Sequence, residues 1–186
     1  QLFSQHNSDS LRLSRTPLLC SLICMVFYLG EGRLPSSRRA LYEQSTNLLI
    51  ATRDERRRVR GPTALNDFSL EKRRWVLQAI ALEMQEGGTQ SAGQNIEVSK
   101  ESVLTIIQRW MERNRETKAD AQQLLNFLVA RCAIIREPIL DRIDFIHRSF
   151  MEYLAANEIV RNRTAHSVRG RIENDQWQAT LAFSMD

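Results

Sequence analysis

The side-chain period changes once, abruptly, across Phe145-Ile146-His147-Arg148-Ser149-Phe150-Met151-Glu152-Tyr153-Leu154-Ala155-Ala156. Before the change, Ile143, Phe145 and His147 alternate with polar Arg142 and Asp144, as on a strand with one buried face. After it, Phe150, Tyr153, Leu154 and Asn157 recur at helical spacing. A strand therefore runs directly into a helix. Ser149 stands where an N-cap is expected, Glu152 follows as its capping-box partner, and His147 lies at the joint. A titratable, hydrogen-bonding ring at a helix N-terminus is well placed to meet an anion, because the unpaired N–H groups there favour negative charge. The competing reading is a histidine satisfied inside the core, and spacing alone leaves both open.

Upstream, Pro17 suits a first helical turn, after which Leu18, Leu19, Leu22, Ile23, Val26 and Phe27 recur until Gly30 and Gly32 stop the helix. Pro35 and Ser36-Ser37 open the next helix, with Leu41, Ser45, Leu48, Leu49 and Thr52 on one face. It runs out through Arg53, Arg56, Arg57, Arg58 and Arg60 to a break at Gly61-Pro62. Ser69 caps a third helix, ending near Glu86, that offers Trp75, Val76, Ile80 and Met84 to a core. Residues 87–95, rich in glycine, read as a flexible connector. Ser99 caps a fourth helix carrying Val103, Leu104, Ile107 and Trp110, and residues 119–132 form a fifth through Leu124, Leu125 and Leu128. Residues 134–137 and 142–147 read as two short strands around a turn, and the last of these helices runs from Phe150 to about Arg161.

This order predicts a mainly α chain: a helical bundle with a winged-helix domain containing one short β-hairpin. Residues 1–16 are expected to end a preceding helical domain, 17–162 to be the winged-helix domain, and 163–186 to start a following helical or repeat domain. In that last stretch Trp177, Ala179, Leu181 and Phe183 begin a new helical pattern. The chain opens at Gln1 rather than methionine, which fits a piece of a longer protein.

With 42% hydrophobic and 26% charged residues among 186, the chain can bury a proper core, and disorder is not expected. A net charge of +4 does not by itself imply nucleic acid. Cys20, Cys24 and Cys132 are few, odd in number and embedded in apolar helical patterns, which suits a reducing, cytoplasmic setting rather than a disulfide framework. Cys20 and Cys24 share a helical face and read as core rather than as a metal site. The apolar run from Pro17 to Leu29 is too short to cross a bilayer and reads as a buried core helix, so no membrane association is expected. The arginine cluster reads as a solvated helix end whose cations suit the C-terminal dipole, ahead of a phosphate-binding role. His6 and His166 have no partner pattern, and no nucleophile, base and orienting acid converge, so catalysis within this segment is not expected.

Together these motifs resemble the NACHT-type signal-transduction ATPases, a family that includes bacterial antiphage proteins and animal inflammasome receptors. Phe145 and His147 ahead of Ser149-Phe150-Met151-Glu152-Tyr153-Leu154-Ala155-Ala156 resemble its winged-helix signature, with Met151 where glutamine is common. Thr16-Pro17-Leu18-Leu19 resembles the family's proline motif, and Leu34-Pro35 with Arg39, Leu41-Tyr42 and Leu48-Leu49 the helix that follows it. Asp175-Gln176-Trp177 resembles the start of the helical repeats beyond the winged helix.

The resemblance implies that Pro17 packs on the adenine of bound ADP and that His147 contacts its β-phosphate, holding the protein closed until ATP or a sensed ligand favours the open form. It further implies nucleotide-dependent homo-oligomerisation in innate immune or antiviral signalling. The implied partners are the chain's own nucleotide-binding domain, which would supply Mg²⁺, and a downstream sensor domain. ATP chemistry needs a phosphate-cradling glycine loop with a lysine, and no Gly-x-x-x-x-Gly-Lys-Ser/Thr occurs in this sequence. The segment itself would be no enzyme, although its parent would be an NTPase. Two rivals stand: a DNA-binding winged helix, disfavoured because residues 119–131 offer only Arg131 as a cation after Lys118, and a purely structural helical scaffold.

Overall fold

The computed structural model describes residues 16–57, 68–87, 96–117, 120–162 and 175–185. Expectations for residues 1–15, for His6 and His166, for the arginine cluster and Gly61-Pro62 break, and for most of the glycine-rich connector lie outside the described residues and side chains. The chain divides into two compact units, Gln1–Ser45 and Thr46–Asp186.

In the first unit, α1 (Pro17–Leu29) has proline at its start, where a missing N–H costs nothing. Leu19, Leu22 and Val26 are buried. Phe27, Tyr28 and Leu29 are exposed, however, and so is Cys24, which corrects the expectation of a wholly buried helix with both its cysteines in the core. The periodicity is that of a one-sided helix, and only one stripe is covered. The helix ends in a Schellman cap: the Gly32 N–H donates to the Phe27 carbonyl at 2.9 Å and the Glu31 N–H to that of Tyr28 at 3.3 Å. Glu31 and Gly32 both take left-handed backbone, φ 51° and 82°.

Helix α2 (Arg38–Arg57) starts in the first unit and carries the boundary between Ser45 and Thr46. Ser37 caps it, its Oγ accepting the Ala40 N–H at 3.1 Å. Among its described side chains Tyr42, Ser45, Thr46, Leu49 and Ile50 are buried, whereas Leu41 and Leu48 are half-buried. The inward stripe is thus turned by about one residue from the expected one, which brings the aromatic ring of Tyr42 inside.

The second unit continues through α3 (Leu70–Gly87), β1 (Val98–Ser99), α4 (Lys100–Asn114), α5 (Ala121–Arg131), β2 (Ile135–Ile139), β3 (Arg142–Phe145), α6 (Arg148–Asn162) and α7 (Asp175–Met185). Side-chain caps mark the helix starts: Ser69 Oγ accepts the Lys72 N–H at 3.2 Å, and Ser99 Oγ that of Ser102 at 3.1 Å. Asp120 and Gln123 close a reciprocal capping box at α5, with bonds of 2.7 and 3.4 Å.

The expected hairpin is present, and a third strand joins it in the antiparallel order β1-β3-β2. Val98 pairs with Ile143 and Ser99 with Arg142, an addition too short to show any period in the sequence. Ile135 faces Phe145 and Arg136 faces Asp144, and the register shifts before Ile139 meets Arg142. Pro138, which has no N–H for the ladder, sits in that irregular stretch. The wing turn closes at Asp141, whose left-handed φ of 61° a short polar side chain tolerates.

At the centre, α3 packs against both α6 and α4, and α6 packs against α3 and α7. Val76, Leu77, Ile80 and Ala81 of α3 are fully buried, as are Phe150, Leu154 and Ala155 of α6. Trp75, expected in the core, is half-buried beneath the Arg161 guanidinium, 5.4 Å from its ring. Two buried polar side chains of α3 have partners: Arg73 Nε donates to the Phe68 carbonyl at 3.0 Å, and Gln85 Nε2 to Thr180 Oγ1 at 2.7 Å. The latter bond ties α7 to α3 within this unit. Ile159 and Trp177 form a buried cluster beside Leu82 and Leu181, and Tyr153 meets Phe183 edge-to-face at 5.5 Å. Among the described residues, no helix is long and apolar enough to cross a membrane.

Phe183, 1% exposed, is a buried aromatic anchor of α7. Phe183→Ala is expected to lower stability by about 3–5 kcal/mol, the cost of an aromatic-sized cavity, measured by urea denaturation. The wing supplies a pH test. The Asp141 N–H donates to Glu137 Oε1 at 2.9 Å, and Lys100 Nζ lies 3.1 Å from Oε2. The amide first and the ammonium second hold the Glu137 carboxyl below its ordinary 4.5. A depressed acid stabilises the fold above its unfolded pKa and loses that contribution as pH falls through the folded one. The Asp141 amide signal should therefore titrate in NMR with a midpoint below 4.5, and a midpoint at or above that value would contradict the anchor.

Candidate functional site

The joint between β3 and α6 is built from inside outward. Ile143 and Phe145 of β3 are buried, and between them Asp144 is buried too, at 1% exposure, against the expected alternation. It is tolerated there because Arg136, its cross-strand partner, forks over it with bonds of 2.8 and 2.9 Å. The hairpin continues past the strand ends, the Ile146 N–H donating to the Ile134 carbonyl at 2.9 Å. His147 thus emerges from a pinned ladder.

Helix α6 begins at Arg148, one residue before the expected cap. The capping role belongs to His147 rather than Ser149. Its carbonyl accepts the Phe150 N–H at 3.1 Å, and its ring Nδ1 accepts the Ser149 N–H at 3.2 Å. The ring nitrogen does what a serine or aspartate oxygen does at an ordinary N-cap. Glu152, expected to close a box on Ser149, instead accepts from Arg148 Nε at 2.8 Å. Ser149 remains important in another way: its Oγ lies 2.7 Å from the same Nδ1.

These contacts determine the tautomer. Nδ1 accepts a backbone N–H and so carries no proton in the neutral ring; the Ser149 hydroxyl must then donate to it, and the ring proton resides on Nε2. Burial holds the His147 pKa below its ordinary 6.5, which favours the neutral form. Among the described residues nothing bonds to Nε2. The joint therefore presents one oriented Nε2–H donor at the start of a fifteen-residue helix. Two of the first three amides of α6 are consumed locally, those of Ser149 and Phe150, so the backbone adds less to an anion site than the sequence suggested. The Arg148 guanidinium is nearby, held by Glu152.

Pro17 is exposed at the first position of α1, in the first unit, whereas His147 is in the second. Among the described residues there is no group of three or more His, Cys, Asp or Glu able to hold a metal ion. Helix α5, which precedes the wing, exposes Gln122, Gln123, Asn126 and Ala130. That face carries amides and no cation before Arg131, which is poorly suited to neutralising duplex phosphates.

Compared with models of known families, residues 38–159 match that of the winged helix-turn-helix domain C-terminal to NACHT. The matched span includes His147 and stops short of Pro17 on one side and α7 on the other. No curated protein and no solved structure matches the chain.

The tautomer is open to measurement by long-range ¹⁵N–¹H NMR of the His147 ring. At pH 7 Nε2 is expected to carry the proton, and Ser149→Ala should raise the share of the other tautomer. Because the folded pKa is depressed, the neutral ring's contribution to stability is full above 6.5 and declines as pH falls through the folded value. A ring that titrates at or above 6.5, or is protonated on Nδ1, would overturn the assignment.

Proposed function

The chain belongs to the winged helix-turn-helix family found C-terminal to NACHT, and on that premise we propose that it is the nucleotide-responsive latch of a NACHT protein. A winged-helix domain alone is not catalytic, and NACHT association makes a nucleotide-binding domain its partner in the parent protein. The latch reading goes further: His147 donates through Nε2 to the β-phosphate of ADP held by that domain, and Pro17 packs on the adenine. Mg²⁺ and the phosphate-cradling loop belong to the partner domain. ATP, or a ligand sensed by a domain downstream, favours the open form, and opening permits homo-oligomerisation and defence signalling from a cytoplasmic protein.

The observation that supports this reading best is the locked ring. A donor already oriented by two contacts at Nδ1 loses little freedom on meeting an anion, and a hydrogen bond to a charged group contributes about 1.5–3 kcal/mol. That corresponds to roughly a ten- to hundredfold preference for the closed form. Moving a population from mostly closed to mostly open takes about 10⁴-fold. His147 is thus one contributor to the latch, with the nucleotide-binding domain supplying the remainder. The contribution of Pro17 rests on the family resemblance.

In the parent protein, His147→Ala is expected to weaken ADP retention roughly ten- to hundredfold and to raise the oligomeric fraction without ligand. Nucleotide extracted from the purified protein and native mass spectrometry read the two effects. Unchanged ADP retention together with an unchanged oligomeric fraction would remove the latch assignment.

A further inference from the structure

We propose that Cys20 and Cys24 form a dithiol site on the outward side of α1 that takes a thiophilic electrophile at a single atom, with monosubstituted trivalent arsenic as the matching chemistry. Cys24 is exposed and Cys20 half-buried, on a helix whose opposite stripe, Leu19, Leu22 and Val26, is buried. Neither thiol is in a disulfide. Pro17, Ser21 and Cys24 are all exposed, so the approach to the pair runs along an open stripe.

The helical geometry selects the chemistry. Residues at i and i+4 hold their Cβ atoms about 5–6 Å apart. A disulfide needs about 3.5–4.5 Å, so direct oxidation of the pair would require α1 to unwind. An atom inserted between the two sulfurs removes that conflict, because each sulfur then needs to reach only the bridge. Zinc would make such a bridge but takes four ligands in a closed site. No group of three or more ligating side chains exists among the described residues to complete one. A monosubstituted arsenic(III) centre needs only two protein sulfurs. With phenylarsine oxide the arsenic–oxygen bond is replaced by two arsenic–sulfur bonds, and the oxygen leaves as water with both thiol protons. No oxidant or reductant takes part.

An adduct here would stand within two turns of Pro17 on the same side of α1, and would crowd any nucleotide packed on that proline. This consequence rests on the latch reading; the dithiol itself does not.

Cys132, fully buried, serves as the internal control. Titration of the full chain with phenylarsine oxide, followed by intact mass and by thiol counting, tests the site. One equivalent should add to the chain with loss of two reactive thiols, be removed by a competing dithiol, and resist a monothiol. Cys132→Ser should leave this unchanged. Cys20→Ser and Cys24→Ser should each weaken retention by roughly 10²-fold or more, since the second bond is intramolecular. Circular dichroism establishes that the variants retain their helices. Retention undiminished in the well-folded Cys24→Ser chain, or an adduct that consumes one thiol only, would overturn the proposal. An adduct with the expected stoichiometry that leaves ADP retention of the parent protein intact upholds the dithiol and removes the adenine contact at Pro17.

Discussion

The burial of α6 against α3 governs the placement of everything around the joint. Phe150, Leu154 and Ala155 are inaccessible to solvent on one helix, and Val76, Leu77, Ile80 and Ala81 on the other. At about 1.5–3 kcal/mol for each large apolar side chain withdrawn from water, this contact fixes α6 against rotation about its axis. Because β3 feeds into α6 with almost no intervening chain, the same contact aims the strand. The wing follows from the strand, and β1 follows from the wing through its pairing with β3. The orientation of His147 is thus a remote result of helix packing.

Polar groups enclosed by this packing are handled by pairing. Asp144 is covered by Arg136, and Glu158, 2% exposed, is held by Arg161 and Asn162. Arg161 also lies over Trp75, so one guanidinium pairs by charge within α6 and reaches α3 over the indole ring. Replacing such pairs by hydrophobes can be neutral for stability, whereas removing one partner is costly. The Arg136–Asp144 pair fixes β2 against β3, and the Arg161–Trp75 contact ties α6 to α3.

The period switch at 143–157 made the strand-to-helix joint, the hairpin and the position of His147 legible in the sequence, because alternating and helical burial leave different traces. Helices announced by Pro17, Ser69 and Ser99 begin where expected for the same reason: a proline or a cap is a local signal. What was not legible required tertiary information. Two residues of β1 have no period, and their pairing is decided by β3. The identity of the cap at α6 turned on whether a ring nitrogen or a hydroxyl reached the Ser149 amide, and both residues are competent. The burial of Asp144 depended on Arg136 arriving from the neighbouring strand. The open side of α1 was hidden because cysteine and leucine look alike to any hydrophobic pattern, while only Leu19, Leu22 and Val26 find cover. The Asp120-x-x-Gln123 box was readable in principle, as an acidic cap three residues ahead of a glutamine.

A cap made by an imidazole divides one side chain between two levels of organisation. One ring nitrogen belongs to the architecture, closing the start of α6, and the other belongs to whatever approaches the surface. An asparagine in that place would keep a cap acceptor on a shorter side chain and withdraw the outward donor. Architecture and recognition are therefore separable at this single position, so a chain of this fold can change what its joint recognises without rebuilding the helix that presents it.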